Sequence, residues 1–264
     1  MPITFAHPLA VAPLARTGLP LGALVVGTVV PDLPLFARAI PGLDRLGRAL
    51  GDPGLPSMAA QYRYLHSPLG LFTANIVIGL LVLALWWWLL RPAYRDSLSK
   101  TLRGRTHAAP TGVLTWILAI PALVIGSFTH IVWDQFTHQP TWVSERVGFL
   151  QATVAGFPVT ILLQYGMGIL GVAGVLYWLY ARISRRNEHT VPQYLADMAT
   201  WMFAIPVVAG LVAVVLVLYR SMNVGAQLSL QEFAFDALTT TVAAMLCAAI
   251  VMAVVHRIMY MRVR

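Results

Sequence analysis

Residues 112–138 read GVLTWILAIPALVIGSFTHIVWDQFTH. Most of this stretch is apolar, and it is long enough to cross a bilayer, which takes roughly 20 residues. Its last turns carry His130, Asp134 and His138, each four residues after the one before. At that spacing the three side chains share one face of the predicted helix. An ionisable side chain is costly in apolar surroundings, so all three are candidate functional residues.

The composition of the whole chain indicates an integral membrane protein. Of its 264 residues, 58% are hydrophobic and only 11% are charged, whereas soluble domains carry about 25% charged residues. The net charge of +8 comes almost wholly from arginine. In a membrane protein such charges set orientation against anionic headgroups, so no nucleic-acid partner is predicted. The single cysteine, Cys247, excludes an intrachain disulfide and a thiolate metal site.

Five apolar runs are long enough to span a bilayer. They cover residues 69–90, 112–132, 157–181, 200–219 and 237–256. Basic residues follow the first, third and fifth runs, at Arg91, Arg95, Lys100, Arg103, Arg105, Arg182, Arg185, Arg186, Arg257, Arg262 and Arg264. Because cytoplasmic loops are enriched in Lys and Arg, these ends are predicted to be cytoplasmic. The opposite, extracytoplasmic ends carry His66, His130, Asp134 and His138.

The first 36 residues allow two topologies. The apolar stretch 19–36 has prolines on both sides of Asp32, and the apolar stretch 5–15 is too short to span. A full crossing by residues 19–36 would leave His7 near the cytoplasm. A re-entrant helical hairpin entering from the outer side would instead bring His7 and Asp32 together, with its turn at the chain-breaking residues around Gly18. The hairpin is the favoured prediction.

The predicted fold class is therefore all-α, a polytopic membrane helical bundle. It has about five full transmembrane helices plus the N-terminal re-entrant helical hairpin. A single integral membrane domain is predicted for residues 1–264. Its parts are the hairpin 1–36, an extracytoplasmic segment 37–65 with short interfacial helices, metal-site core helices 66–181 and two C-terminal transmembrane helices 200–264. Residues 51–56 and 103–110 are predicted to be loops.

Six residues at the ends of these segments are candidate metal ligands: His7, Asp32, His66, His130, Asp134 and His138. Imidazole and carboxylate are the ligands that zinc prefers, with manganese or iron as alternatives, and such an ion can activate water at neutral pH. This ligand set exceeds what one tetrahedral ion needs. The site is therefore predicted to hold either two ions or one ion. With one ion, some of these residues would orient the imidazoles instead of binding the metal. His138 is predicted to be a ligand or the acid–base residue.

Each candidate also has a purely structural interpretation. For example, His130 and Asp134 can be a hydrogen-bonded pair that joins helices. Their common membrane face favours a shared site instead. Gln164 and Tyr165, near the outer end of the third run, are predicted to line the cavity and bind substrate. Three other histidines lie at the opposite ends of their segments and are predicted not to be ligands: His107, His189 and His256.

Several stretches resemble the DUF4184 family of bacterial membrane proteins. They are Phe5-Ala-His-Pro, Gly27-Thr-Val-Val-Pro-Asp-Leu-Pro, Tyr64-Leu-His-Ser-Pro-Leu-Gly, Gly126-Ser-Phe-Thr-His-Ile-Val-Trp-Asp-Gln-Phe-Thr-His and Leu163-Gln-Tyr-Gly. More distantly, the order His, Pro-Asp, His-Ser, His-x-x-x-Asp is similar to that of predicted membrane-bound metal-dependent hydrolases of the YdjM type and of the zinc-dependent phospholipase C group. The resemblance implies hydrolysis, and it implies that the metal ligands are His7, Asp32, His66, His130 and Asp134.

The leading hypothesis is a metal-dependent hydrolase of the bacterial inner membrane, with its site at the outer membrane–water interface. Its predicted substrate is a phosphoester or another lipid-linked ester, and its predicted partners are membrane lipids. One alternative is a metal-binding or metal-transporting protein without hydrolysis, although the later spans offer few polar residues for a transport path. The other is a structural protein whose His/Asp network locks helices together.

Overall fold

The computed structural model describes residues 3–40, 57–106, 112–223 and 229–263. It is 79% helical. The strands in the described part are β1 (Thr153–Val154) and β2 (Phe157–Pro158), which pair antiparallel. The predicted all-α fold class is confirmed. The predicted loop 51–56, much of the predicted segment 37–65, His107 and residues 107–110 lie outside the described residues.

The N-terminal segment folds back on itself. A 3₁₀ helix, Thr4–Arg16, is followed by a turn in which Gly18 has a φ of +85°. Glycine reaches this φ readily because it has no Cβ atom. Helix α1, Leu21–Gly27, then runs back, and a 3₁₀ turn, Val30–Asp32, follows it. The turn predicted near Gly18 is confirmed.

Twelve α-helices are described in all, and α1 is the first of them. The others are α2 (Leu33–Ala37), α3 (Met58–Leu65), α4 (Pro68–Phe72), α5 (Ala74–Leu85), α6 (Arg91–Asp96), α7 (Lys100–Arg105), α8 (Val113–Thr137), α9 (Gly148–Gln151), α10 (Val159–Ser184), α11 (Ala199–Asn223) and α12 (Leu230–Val263). A π-helical turn, Trp86–Leu90, joins α5 to α6, and a 3₁₀ turn, Ala196–Met198, precedes α11.

Within the described residues, five helices are long and apolar enough to cross a membrane. They are Ala74–Asp96, Val113–Thr137, Val159–Ser184, Ala196–Asn223 and Gln231–Val263. Each overlaps one predicted run, so the prediction of five spans is confirmed. Only 22–33% of the most apolar window of each helix is buried. Most of their apolar surface therefore faces outward, as helices in contact with lipid require.

Several predicted boundaries differ from those in the structure, and two of them have a local cause. The first span begins at Ala74 rather than at residue 69, because Thr73 has non-helical backbone angles (φ −125°, ψ −88°) and separates it from α4. The loop predicted over 103–110 is helical at its start, because α7 continues to Arg105. The Arg103 guanidinium donates hydrogen bonds to the carbonyls of Leu98 and Val191, which fixes this turn.

The chain divides into two compact units. Unit 1 comprises Met1–Asp32, Tyr62–Leu83 and Pro110–Arg186, and unit 2 comprises Leu33–Gln61, Ala84–Ala109 and Asn187–Arg264. The single membrane domain with the parts given above stays a prediction.

In unit 1 the N-terminal hairpin packs against α8 and α10. Glycines make this approach close. A Cβ atom on Gly126 of α8 would lie 2.3 Å from the Leu24 carbonyl oxygen, and one on Gly171 of α10 would lie 2.6 Å from the Ala6 Cβ. Real side chains do not approach this closely, so small residues allow the hairpin to reach the polar end of α8.

In unit 2, α11 and α12 pack along each other. A buried apolar cluster forms its core, made of Ala93, Leu195, Met198, Met202, Met252 and Ala253.

Candidate metal centre

Four residues of unit 1 converge on one point: Asp32, His66, His130 and Asp134. Asp32 ends the 3₁₀ turn after α1. His66 directly follows α3, which ends there because Ser67 precedes a proline and has an extended backbone. The Ser67 hydroxyl caps α4 by accepting a hydrogen bond from the Gly70 N–H. His130 and Asp134 lie one turn apart on α8, as their spacing predicts.

The ligand atoms of these four residues all lie within 4.8 Å of one another. The Nε2 atom of His130 is 3.5 Å from Asp32 Oδ1 and 3.4 Å from Asp134 Oδ2. The Nε2 atom of His66 is 3.8 Å and 3.5 Å from the same two oxygens. Bonds of about 2.0 Å in a tetrahedron place neighbouring ligand atoms about 3.3 Å apart. The four atoms therefore have spacings suited to a single metal ion.

The hydrogen bonds of the histidines fix which nitrogen faces that point. His130 Nδ1 lies 2.8 Å from the Thr28 carbonyl oxygen, and His66 Nδ1 lies 2.8 Å from the Tyr62 carbonyl oxygen. Because a carbonyl only accepts, each Nδ1 carries the proton, and the Nε2 of the neutral ring has a free lone pair. Metal-binding histidines are oriented by this same contact.

Three of the four converging atoms are buried and have no hydrogen-bond partner within the described residues. They are Asp32 Oδ1, His66 Nε2 and His130 Nε2. Buried polar groups are normally hydrogen-bonded, since leaving one unpaired costs about 1–3 kcal/mol. With neutral imidazoles the two carboxylates would leave a charge of −2 in this buried space, which a divalent cation would neutralise. The residues present thus fit a divalent metal ion.

The second oxygen of Asp32, Oδ2, has a hydrogen-bond partner outside the four converging residues. It accepts a hydrogen bond of 2.5 Å from the Thr4 hydroxyl, which orients the carboxylate so that Oδ1 faces the histidines. The Tyr62 hydroxyl lies 3.4 Å from Asp134 Oδ2. Burial, with the charges of Asp134 and Asp32, raises the pKa of Tyr62 well above its usual range, so this hydroxyl stays protonated and donates.

His7 lies in the same cluster, as the hairpin prediction requires. Its Nε2 is 3.2 Å from Asp134 Oδ1, and its ring stacks on that of His130 with centroids 4.0 Å apart. Its Nδ1 is 3.1 Å from the Thr4 carbonyl oxygen, the pattern seen for His66 and His130. His7 therefore faces the other oxygen of Asp134 and stands beside the four converging atoms.

His138, directly after α8, is also near Asp134. Its Nδ1 lies 3.4 Å from Asp134 Oδ1, and the amide nitrogen of Gln164 lies 2.9 Å from its Nε2. Burial lowers the pKa of His138 against the opposing charge of Asp134, so the ring is neutral at neutral pH. Gln164 thus joins the cluster through His138. Its neighbour Tyr165 is half-buried, and its predicted role in substrate binding stays a prediction, as does that of Gln164.

Exposure of the cluster is uneven. The side chains of His7, Asp32, His130 and Asp134 are at most 5% exposed, whereas that of His66 is 14% exposed and that of His138 is 21% exposed. Among these residues, solvent therefore reaches the cluster chiefly on the His66 and His138 side.

Three residues that contact the metal-ligand candidates were not predicted from the sequence, because they are not metal-ligand residue types. Thr4 and Tyr62 precede His7 and His66 by three and four residues, a spacing at which helical side chains are neighbours, and that is the only signal they carry. Thr28 contributes a main-chain carbonyl, for which no side-chain pattern exists. His189 and His256, predicted not to be ligands, both belong to unit 2.

The fold and the cluster define a class: a multi-pass helical membrane protein with a buried His/Asp group that can hold a metal ion. Residues 1–255 match the family described as Domain of unknown function (DUF4184), and the chain belongs to this family. No curated protein and no solved structure matches the chain.

Proposed function

We propose that this protein is a membrane-embedded, metal-dependent hydrolase of a phosphoester or lipid-linked ester. The observation that carries the proposal is the convergence of Asp32, His66, His130 and Asp134 with three of their four ligand atoms buried and unpartnered. Such an arrangement is costly unless a cation shares it. The order of these residues along the chain, similar to that of YdjM-type hydrolases and the zinc-dependent phospholipase C group, supports hydrolysis.

A divalent ion, with zinc as the first candidate and manganese or iron as alternatives, supplies Lewis acidity that polarises an ester oxygen and activates water. Asp32, His66, His130 and Asp134 would hold it. The carbonyls of Thr28 and Tyr62 keep the two imidazoles in the ligating tautomer, and the Thr4 hydroxyl keeps Asp32 turned toward them.

His138 is the proposed acid–base residue. It is the most exposed of the cluster side chains, so it can exchange a proton with solvent while its Nδ1 stays beside Asp134. The Gln164 amide donates to Nε2 and keeps the proton on Nδ1 in the resting state. A ring whose orientation and tautomer are both fixed is suited to accept or return a proton during ester cleavage. Tyr165 is a proposed substrate contact.

The number of ions depends on the second oxygen of Asp134. His7 Nε2 and His138 Nδ1 lie 3.2 Å and 3.4 Å from Oδ1, the Asp134 oxygen that is not among the four converging atoms. One ion would leave His7 outside the ligand set, beside Asp134 Oδ1. A second ion would be held by His7 and His138 together with Asp134.

The proposed location is the extracytoplasmic side of the bacterial inner membrane. The excess of arginine after the first, third and fifth spans supports this orientation. The largely exposed apolar faces of the spans support a substrate that enters from the lipid, and membrane lipids are the proposed partners.

A second candidate is a non-catalytic site that stabilises the bundle, either with a closed metal or with protonated histidines. The near-complete burial of His7, Asp32, His130 and Asp134 favours it, since structural metal sites are closed to solvent. Transport of the metal is less well supported, because no described group of three or more ligand-type residues lies elsewhere along the spans.

Hydrolysis is tested with the full chain purified in detergent and assayed on bis(4-nitrophenyl) phosphate and on a fluorogenic phospholipid, with zinc or manganese added. We expect metal-dependent hydrolysis that falls about 10²–10⁴-fold in His138→Ala, the usual cost of losing an acid–base group, with metal content retained. His189→Ala is the matched control, because His189 is exposed and belongs to unit 2. Bound metal with no hydrolysis of either substrate, or equal rates in the two variants, would favour the non-catalytic site.

A further inference from the structure

Unit 2 contains a cavity of about 220 Å³ that is separate from the metal centre. It is lined by the end of the first span, by Arg103 of α7, by the segment before α11 and by the last turns of α12. At ~30 Å³ per water molecule it has room for about seven waters. Three of the lining residues are arginines, Arg95, Arg103 and Arg257, and the one acidic lining residue is Asp96.

The negative charge of Asp96 offsets only one of these three positive charges, and its oxygens are already hydrogen-bonded to other groups. Its two oxygens accept hydrogen bonds from the main-chain N–H groups of Tyr194 and Leu195, at 2.8 Å and 3.0 Å. His256 Nε2 also lies 3.0 Å from Asp96 Oδ2. A carboxylate bound in this way is a structural tie between the segment before α11 and the end of the first span.

Arg103 is the residue that indicates a ligand. It is only 5% exposed, and its described hydrogen bonds go to the main-chain carbonyls of Asp96, Leu98 and Val191. Among the described residues, no carboxylate lies within 4.0 Å of its guanidinium. A buried cation is normally paired with an anion.

The other two arginines that line the cavity have N–H groups for which no acceptor is described. Arg95 donates through Nε to the Thr106 hydroxyl at 3.2 Å, and Arg257 lies 6.0 Å from the centre of the Tyr260 ring. Neither forms a described ion pair with a carboxylate. Guanidinium groups can bind phosphate oxygens through two parallel N–H bonds, so arginine is over-represented where phosphate is bound in this way.

We propose that this cavity binds a phosphate group, either that of an anionic lipid headgroup or that of a soluble phosphate compound. Arg103 provides the buried positive charge, and Arg95 and Arg257 provide further donors. Basic pockets at the cytoplasmic ends of transmembrane helices bind anionic headgroups. This site is independent of the metal centre and of the proposed hydrolysis.

The test is titration calorimetry on the full chain in a non-ionic detergent. The probes are inorganic phosphate, dioctanoyl phosphatidic acid, and dioctanoyl phosphatidylcholine as the zwitterionic control. The variants are Arg257→Gln and Arg95→Gln. Neither substitution removes a carbonyl that accepts a hydrogen bond from Arg103. Arg262→Gln is the matched control, because Arg262 lies on the same helix as Arg257, is also exposed, and does not line the cavity.

We expect saturable binding that weakens about tenfold in Arg257→Gln and in Arg95→Gln, the loss of one charge-assisted contact, and that is unchanged in Arg262→Gln. Phosphate alone binding as tightly as phosphatidic acid identifies a soluble ligand. Much tighter binding of phosphatidic acid identifies a headgroup. The proposal is overturned if neither phosphate probe binds saturably, if phosphatidylcholine binds as well as phosphatidic acid, or if Arg262→Gln weakens binding as much as Arg257→Gln.

Discussion

His130 shows how one residue becomes part of a metal centre in an apolar helix. Its side chain is fully buried, and its Nδ1 donates to a carbonyl of the preceding hairpin, which leaves Nε2 directed at two carboxylates. The sequence predicted His130 and Asp134 from their spacing and from their position at the end of an apolar run. It could not show that the proton sits on Nδ1, because the partner is the main-chain carbonyl of Thr28, 102 residues earlier.

Thr4 provides a test at the residue scale. Its hydroxyl holds Asp32 in the orientation that turns Oδ1 toward the histidines. Thr4→Val keeps the shape but removes the donor, and groups that orient metal ligands contribute about 10–100-fold to metal affinity. We expect zinc affinity, measured by competition with a fluorescent chelator, to fall by that factor. Thr17→Val is the control, because Thr17 is in the same N-terminal segment but bonds only to the Leu14 carbonyl. Equal affinities in the two variants would contradict this role for Thr4.

At the scale of elements, the deciding feature is how closely the hairpin approaches α8. The Ser127 hydroxyl donates to the Gly27 carbonyl at 3.0 Å, and Gly27 and Gly126 face each other across the contact. The hydropathy pattern predicted five spans and a turn near Gly18, because these depend on local composition. Span ends were predicted less well. Helix α8 continues through His130 and Asp134 to Thr137, since partners from the hairpin satisfy polar groups at which an apolar run would stop.

Gly126→Ala tests this contact. The added Cβ would lie 2.3 Å from the Leu24 carbonyl oxygen and 2.9 Å from the Gly27 Cα, and both are main-chain atoms that cannot rotate away. We expect the free energy of unfolding to fall by about 1–3 kcal/mol, as for overpacked interiors, with weaker zinc binding. The measurement is thermal unfolding in detergent with and without zinc.

Gly166→Ala on α10 is the matched control, because its Cβ would meet no atom within 4 Å. Its free energy of unfolding should rise by about 0.5–1 kcal/mol, since alanine stabilises a helix more than glycine does. A stability of Gly126→Ala equal to or above that of Gly166→Ala would contradict the close helix contact.

At the scale of the whole molecule, each of the two units contains a buried cluster of His and Asp side chains. One cluster surrounds Asp134 and the other contains Asp96 and His256. The first was predicted because its residues recur at similar positions relative to the apolar runs. The second was not. Asp96 and His256 are 160 residues apart, and in the sequence each resembles an ordinary residue at the end of a span.

The proposed orientation predicts which loops are accessible from outside the cell. In a Cys247→Ala background, Trp142→Cys lies in the segment after α8 and Asn187→Cys in the segment after α10, and both positions are exposed. We expect a membrane-impermeant maleimide to label Trp142→Cys in intact cells and Asn187→Cys only after lysis, because Arg182, Arg185 and Arg186 favour the cytoplasmic side. The reverse labelling pattern would place the metal centre on the cytoplasmic side.

The central claim is that Asp32, His66, His130 and Asp134 hold a divalent metal ion. The most direct test is the metal content, by mass spectrometry of the elements, of the chain purified without chelators and after exposure to zinc or manganese. We predict at least one equivalent per chain in the wild type and in His189→Ala, and none in His130→Ala. A wild-type chain that neither contains nor takes up a divalent metal, or a His130→Ala chain that retains a full equivalent, would contradict the claim.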